Sequence, residues 1–401
     1  MIRFTTAGES HGKALVAILE GLPAGLPILA EEIDRDLKRR MGGYGRGARM
    51  KIESDQAEIL SGVRAGETLG SPLALLIRNR DWDNWVAIMS AEPDAPGVER
   101  RRQLQRPRPG HADLVGVLKY DRSDARDILE RASARETAAR VACGAVCRKL
   151  LARFGVEVGS HVVELGPIRA VAPPTLPSPL NDASDESLVR CLDPEATAAM
   201  IEAIDAARKA GDTLGGIVEV VVRGLVVGLG SHVSWDRKLD GRLARAMLSI
   251  PAVKGVEIGA GFEAARRHGS EVHDEIIRGE RHQTAGFVRK TNRAGGLEGG
   301  MTTGEPLVLR AAMKPISTLM RPLGTVDLRT GGTAKAQAER SDVTAVPAMG
   351  VIAEAMVAIV LADAFLEKFG GDSESEVRAN FVGYVARLNA KWNSLAPEAS
   401  E

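Results

Sequence analysis

Apolar positions run along this chain in two rhythms, short blocks and helical spacing, and together they set out most of its elements. Apolar runs at residues 2–6 and 14–19 flank a glycine-bounded turn and predict two strands within residues 1–28. Over residues 31–41, Ile33, Leu37 and Met41 recur every four positions until Gly42-Gly43 stops the run, which predicts a helix. Residues 50–53, 57–63 and 73–77 read as further strands. Residues 81–108 are polar and proline-rich, a loop long enough to suggest function. An alanine-rich stretch over 127–154, with Val141, Cys143, Val146, Cys147, Leu150 and Leu151 as its stripe, predicts one long helix closed by Gly155. A strand follows at 156–165, then a surface excursion over 171–192. Asp193 caps a helix with Pro194 at its first position and Gly211 past its end. Strands at 215–227, 256–258 and 306–312, a helix at 239–249 and an apolar helix at 348–369 complete the body. In the tail, Val377, Phe381, Tyr384, Val385, Leu388, Trp392 and Leu395 keep helical spacing, which predicts an amphipathic helix docked on the body or on a neighbouring subunit.

Antiparallel-looking strand pairs mixed with long helices, without regular strand–helix alternation, favour an α+β architecture. Residues 1–371 then form one domain and 372–401 an appended helix or tail. Composition sharpens this reading. An apolar share of 44% allows a sizeable core and leaves no reason to expect disorder. Lys+Arg and Asp+Glu both number 53, so the net charge is zero; bulk attraction to nucleic acid or to a membrane surface is not expected. Any anion site must come from a local cluster. Three cysteines without metal spacing point to a reducing compartment. No apolar run is expected to reach the ~18 residues of a membrane span, and no secretory pattern opens the chain, so the cytoplasm is the default.

Candidate chemistry sits on glycine loops. Gly8-Glu9-Ser10-His11-Gly12 places an imidazole in a sharp turn, a plausible start for proton transfer, although a lone turn histidine is more often solvated or structural. Arg39 and Arg40 suit a helix C-terminus in any case. Arg46 and Arg49 stand where glycines expose the backbone, and their forks suit phosphate and carboxylate. Arg131 and Arg135 fall one helical turn apart, and Arg108 precedes His111. If these converge, the pocket is cationic and its ligand is a small polyanion. Gly-x-Gly-x-x-Gly, the P-loop, HExxH and CxxC are all missing, so neither a usual nucleotide motif nor a metal site has support. His161, His232, His268, His273 and His282 read as surface or structural residues.

Five motifs in order carry a resemblance: Gly-Glu-Ser-His-Gly, the arginine loop 40–49, Arg131-Ala132-Ser133-Ala134-Arg135-Glu136-Thr137, Lys314-Pro315-Ile316-Ser317-Thr318 and Arg340-Ser341-Asp342. Over roughly residues 1–370 the chain resembles the chorismate synthases. The resemblance implies helices sandwiched between antiparallel β-sheets and a homotetramer. It implies an anti-1,4-elimination that takes phosphate from 5-enolpyruvylshikimate 3-phosphate to give chorismate, in aromatic amino-acid biosynthesis. Reduced FMN is required without net redox change, and NADPH enters only as an indirect reductant, through an external flavin reductase or other reductant. By the same resemblance His11 is the acid near the phosphate, His111 stands by the flavin and protonates its reduced form, and Asp342 takes a proton from flavin N5. The residues themselves leave open which histidine serves which group. Flavin contacts carry over to Arg131, Ala132, Ser133, Pro251, Ala252, Gly299, Lys314, Pro315, Ile316, Ser317, Thr318 and Arg340. Substrate contacts carry over to Ser10, Arg40, Arg46, Arg49, Arg108 and Arg135. Ala132 replaces a serine common in relatives, and Pro251 is a second departure; contacts made by backbone tolerate both. A flavin oxidoreductase consuming nicotinamide lacks its dinucleotide fingerprint here. RNA binding is disfavoured by neutral charge and scarce aromatics.

Overall fold

The computed structural model describes residues 1–47, 54–93, 101–280, 284–337 and 341–392. Two antiparallel sheets frame it. The first holds β1 (Arg3–Ala7), β2 (Ala14–Glu20), β3 (Ala57–Ser61) and β4 (Leu73–Arg78), in the order β1-β2-β4-β3. The second holds β5 (Glu157–Leu165), β6 (Ile168–Arg169), β7 (Gly216–Arg223), β8 (Val253–Ile258) and β9 (Leu307–Met313), in the order β8-β9-β7-β5-β6. Alternation explains which face each strand buries. Leu73, Leu75 and Ile77 of β4 turn inward, as do Leu307, Leu309 and Ala311 of β9.

The main helices are α1 (Ala30–Met41), α2 (Asp113–Tyr120), α3 (Arg126–Ala132), α4 (Thr137–Ala152), α5 (Leu180–Glu186), α6 (Pro194–Ala210), α7 (Leu239–Leu248), α8 (Val346–Phe369) and α9 (Glu374–Trp392). α1 and α4 cover the first sheet and α8 covers the second, while α4 and α8 pack along each other. The helices are therefore sandwiched between antiparallel sheets, as expected. A Cβ at Gly144 of α4 would stand 2.3 Å from the Ala355 Cβ of α8, so glycine is what permits this approach. One apolar cluster runs through both sheets and the helical layer.

Several expectations need correction. α8 is long and apolar enough to cross a membrane by length and composition, contrary to the sequence reading; it is nearly all buried inside the protein. Its one deep charge, Glu354, accepts hydrogen bonds from Arg39, Arg148, Arg190, Ser160 and Asn181. Burial alone would raise this carboxyl, but Arg39, Arg190 and Arg148 outweigh it and hold it down at about 2. Burial and the neighbouring guanidiniums lower Arg190 to about 10, which leaves it charged at neutral pH.

The helix predicted over 127–154 is broken at Ser133, whose ψ of 143° is extended. Its hydroxyl accepts the Arg135 N–H at 3.3 Å, starting a 3-10 turn (Ala134–Glu136) that leads into α4. Ser133 followed three residues later by Glu136 is a helix-start pattern that the periodicity concealed. α2 lies between residues 108 and 127, where the sequence reading assigned no element, and α5 lies in the stretch read as a surface excursion. The strand expected at 50–53 lies outside the described residues. α9 docks on the body: Val377 is buried, and the Phe381 ring lies 5.3–5.6 Å from those of Phe154, Phe365 and Phe369.

Candidate active site

The opening turn is pinned from several sides. Gly8 has φ +104°, and a Cβ there would meet the Ala14 carbonyl oxygen at 2.3 Å, so only glycine fits. Ser10 N–H donates to the Glu130 carbonyl (2.8 Å), and Asn79 Nδ2 donates to the Gly12 carbonyl (2.6 Å). The Ser10 and Ser133 hydroxyls are 3.1 Å apart. His11 N–H donates to Glu130 Oε2 at 2.9 Å, and the ring Nδ1 lies 3.0 and 2.9 Å from the two carboxylate oxygens. Arg126 Nη1 holds Oε1 of the same carboxylate at 2.9 Å. Trp85 stacks on the His11 ring, with centroids 3.8 Å apart and 21° between planes. Burial alone would raise the Glu130 carboxyl; the bonds to His11 and the Arg126 charge outweigh it and hold it below its ordinary value.

His111 has a parallel arrangement. Asp113, wholly buried at the start of α2, accepts from Arg108 N, Nε and Nη2 at 3.0, 2.9 and 3.1 Å, and its Oδ1 is 2.5 Å from His111 Nδ1. Burial opposes its ionisation, yet His111 and Arg108 keep the carboxyl far below the usual range. Arg108 continues to Thr318 Oγ1 at 2.8 Å and lies 3.0 Å from His111 Nδ1.

The remaining arginines diverge more than their spacing suggests. The break at Ser133 separates Arg131 from Arg135. Arg131 is exposed and ties the carbonyls of Thr6 and Gly8, at 2.9 and 3.0 Å, so it braces the opening turn. Arg135 is buried, with Nη1 2.6 Å from both Asp55 oxygens and Nε on Asn79 Oδ1 at 3.0 Å. Arg40 lies beside it, donating to Thr137 Oγ1 (3.0 Å) and the Ala134 carbonyl (2.9 Å), with Asp55 at 3.6 Å. Arg46 Nε meets Asp342 Oδ2 at 3.1 Å, and Gly47 N–H holds Oδ1 at 2.6 Å. The expected cationic pocket is thus corrected to one whose arginines arrive with carboxylates.

Six stretches of chain enclose a cleft of about 490 Å³, within the roughly 300–1,000 Å³ common for small-molecule sites. Ser10, His11, Arg108, His111, Ala132, Ser133, Pro251, Ala252, Lys314, Pro315, Ile316, Ser317, Thr318 and Asp342 all line it. Lys314 N–H donates to the Ala252 carbonyl (3.0 Å), and Nζ reaches the Gly110 carbonyl (2.5 Å); burial first and Lys254 second lower its pKa. Arg40, Arg135 and Arg46 stand behind the lining, reached through Ala134 and Asp342. Gly299 does not line it; it occupies the turn between Leu297–Glu298 and Met301–Thr302, near His232. Arg49 and Arg340 lie outside the described residues.

Glu130, Asp113, Asp55, Asn79 and Trp85 escaped the sequence reading. Two had a signal: Asp113 stands two residues after His111, and Glu130 directly precedes Arg131. A cleft with two carboxylate-held imidazoles, a lysine and hydroxyl donors can bind a small anion and pass it a proton.

Comparison with known proteins agrees with this geometry. The family model described as chorismate synthase matches residues 2–366. The chorismate synthases of Geobacter sulfurreducens and Salinispora tropica are each 58% identical over 394 residues; these matches span 97% of this chain and 100% and 99% of theirs. A crystal structure of chorismate synthase superposes with TM-score 0.78 at 46% identity, covering 97% of this chain and 98% of that one. Given these matches along nearly its whole length, the chain belongs to the chorismate synthase family, and it is a lyase.

Proposed function

We propose that the chain catalyses the anti-1,4-elimination of phosphate from 5-enolpyruvylshikimate 3-phosphate, giving chorismate, with reduced FMN in the cleft. The carrying observation is that residues from all but the arginine-loop motif, with Arg108 and His111, line one cavity, and that the arginine loop reaches it through Arg46 and Asp342. The lining fits a flavin. Ala132, Pro251, Ala252 and Ile316 offer apolar walls for a planar ring, and Ser133, Ser317, Thr318 and Lys314 offer donors for a phosphate. A Cβ at Gly110 would stand 3.2 Å from Lys314 Nζ, so glycine keeps that corner open. Reduced FMN, when bound, supplies an electron-rich ring that the elimination uses and recovers.

The chain's own residues bind, orient and move protons. Arg108 attracts the anionic substrate and Lys314 the flavin phosphate, while Arg40, Arg46 and Arg135 shape the wall behind the substrate. Ser10 stands beside His11 as a hydroxyl contact. His11 gives a proton to the departing phosphate oxygen, His111 serves the flavin side, and Asp342 is a carboxylate able to accept a proton there. Gly299 and Arg131 contribute to flavin binding from outside this lining. The enzyme works in the cytoplasm as a homotetramer, and an external reductase or other reductant, fed by NADPH, keeps its flavin reduced.

Anaerobic protein supplied with chemically reduced FMN and substrate should release phosphate and form chorismate in equal amounts. No phosphate under those conditions sinks the proposal.

A further inference from the structure

We propose that Glu130 is a positioning residue that sets the tautomer of His11, keeping the proton on Nδ1 and leaving Nε2 as the nitrogen that meets the ligand. The inference rests on the reading of His11 as the acid of the reaction.

Three contacts clamp the carboxylate before any ligand arrives. His11 N–H holds Oε2, Arg126 Nη1 holds Oε1, and the ring Nδ1 lies within 3.0 Å of both oxygens. The Glu130 side chain is 1% exposed, against 13% for His11. An ionised carboxylate only accepts, so the nitrogen facing it must donate. Among the described residues nothing hydrogen-bonds Nε2, and His11 lines the cleft. Trp85 covers one face of the ring, which leaves it little freedom to flip.

His111 shows that this arrangement is particular to His11. Its Nδ1 lies between Asp113 and Arg108, at 2.5 and 3.0 Å, so an acceptor and a donor compete for one nitrogen. At His11 the arginine bonds the carboxylate, at Oε1, and not the imidazole nitrogen. Of the two cleft imidazoles, His11 alone has its tautomer set by a carboxylate without competition.

The proton balance is simple. The imidazolium passes its Nε2 proton to the phosphate oxygen as the C–O bond breaks, and that oxygen keeps the bonding pair. The ring is left neutral with Nδ1–H still on Glu130, and it regains a proton from solvent.

The test is nitrogen-15 NMR of the full-length protein carrying labelled histidine, without flavin or substrate. The His11 signals are identified by their loss in His11→Ala. The neutral wild-type ring should show Nδ1 protonated and Nε2 bare; the reverse pattern overturns the proposal, and this measurement needs no altered Glu130. Glu130→Gln keeps the shape and removes the charge. It should mix the tautomers and lower kcat by at least roughly ten- to a hundredfold, the usual worth of a hydrogen-bond partner that orients a ligating histidine, with KM little changed. Glu130→Asp should recover part of kcat. Wild-type kcat in Glu130→Gln also overturns the proposal. Failure of the acid reading appears separately, as unchanged turnover in His11→Ala beside an intact tautomer pattern.

Discussion

At the scale of single residues, the site pairs both imidazoles and four of its arginines with carboxylates fixed beforehand. His11 has Glu130, His111 and Arg108 share Asp113, Arg135 and Arg40 share Asp55, and Arg46 has Asp342. A preformed partner holds a side chain in one rotamer, which lowers the ordering needed when a ligand binds. It also means that ligand anions meet arginines whose charge is partly compensated. Removing the proton donor itself should be the most direct blow. His11→Ala is expected to slow turnover by ~10²–10⁴, the usual worth of a general acid, read as anaerobic phosphate release. Sequence reading reached the cations and imidazoles because loops rich in glycine and arginine stand out. It missed the carboxylates that hold them. Asp55 and Glu130 look ordinary in the chain, and only folding brings Asp55 to Arg135, 80 residues away.

Elements explain both what periodicity finds and what it overlooks. β4 and α6 were legible because Leu73, Leu75 and Ile77 alternate and Asp193, Pro194 and Gly211 punctuate. The break between α3 and α4 was not, because alanines and leucines on either side of Ser133 continue one helical rhythm. That break separates Arg131 from Arg135, and so it shapes the site. α8 carries the clearest energetic consequence of an element. Glu354 is held at about 2 in the fold, against an ordinary 4.5. A depressed carboxyl stabilises the fold fully above pH 4.5 and loses that contribution as pH falls towards 2. Wild-type protein should therefore exceed Glu354→Gln in stability by a margin that shrinks across this window, by up to about 3 kcal/mol. Urea midpoints at pH 7, 4.5 and 3 check it; a constant margin contradicts the ionic role.

Considered whole, the molecule is neutral, yet its charges are sorted into compact clusters around α8 and around the cleft. Net charge excluded bulk polyanion binding but concealed this sorting. α9 packs on the same core. α9 closes an aromatic cluster in which Phe381 meets Phe154, Phe365 and Phe369, and Tyr384 meets Phe369. A fully buried phenylalanine cut to alanine costs ~3–5 kcal/mol. Phe381 is half-buried, so Phe381→Ala should cost about 2 kcal/mol, seen as a lower denaturant midpoint with an unchanged slope.

The stacking of Trp85 on His11 also gives the molecule an optical signal. An imidazolium lying against an indole accepts an electron from its excited state and dims its emission, whereas a neutral imidazole does so weakly. Only four tryptophans are present, and with Trp82, Trp235 and Trp392 replaced by phenylalanine the remaining light comes from the ring that touches His11. That light should brighten as His11 loses its proton, and the change should vanish in His11→Ala. The charge on one half-buried imidazole becomes readable in real time, without isotopes, during turnover.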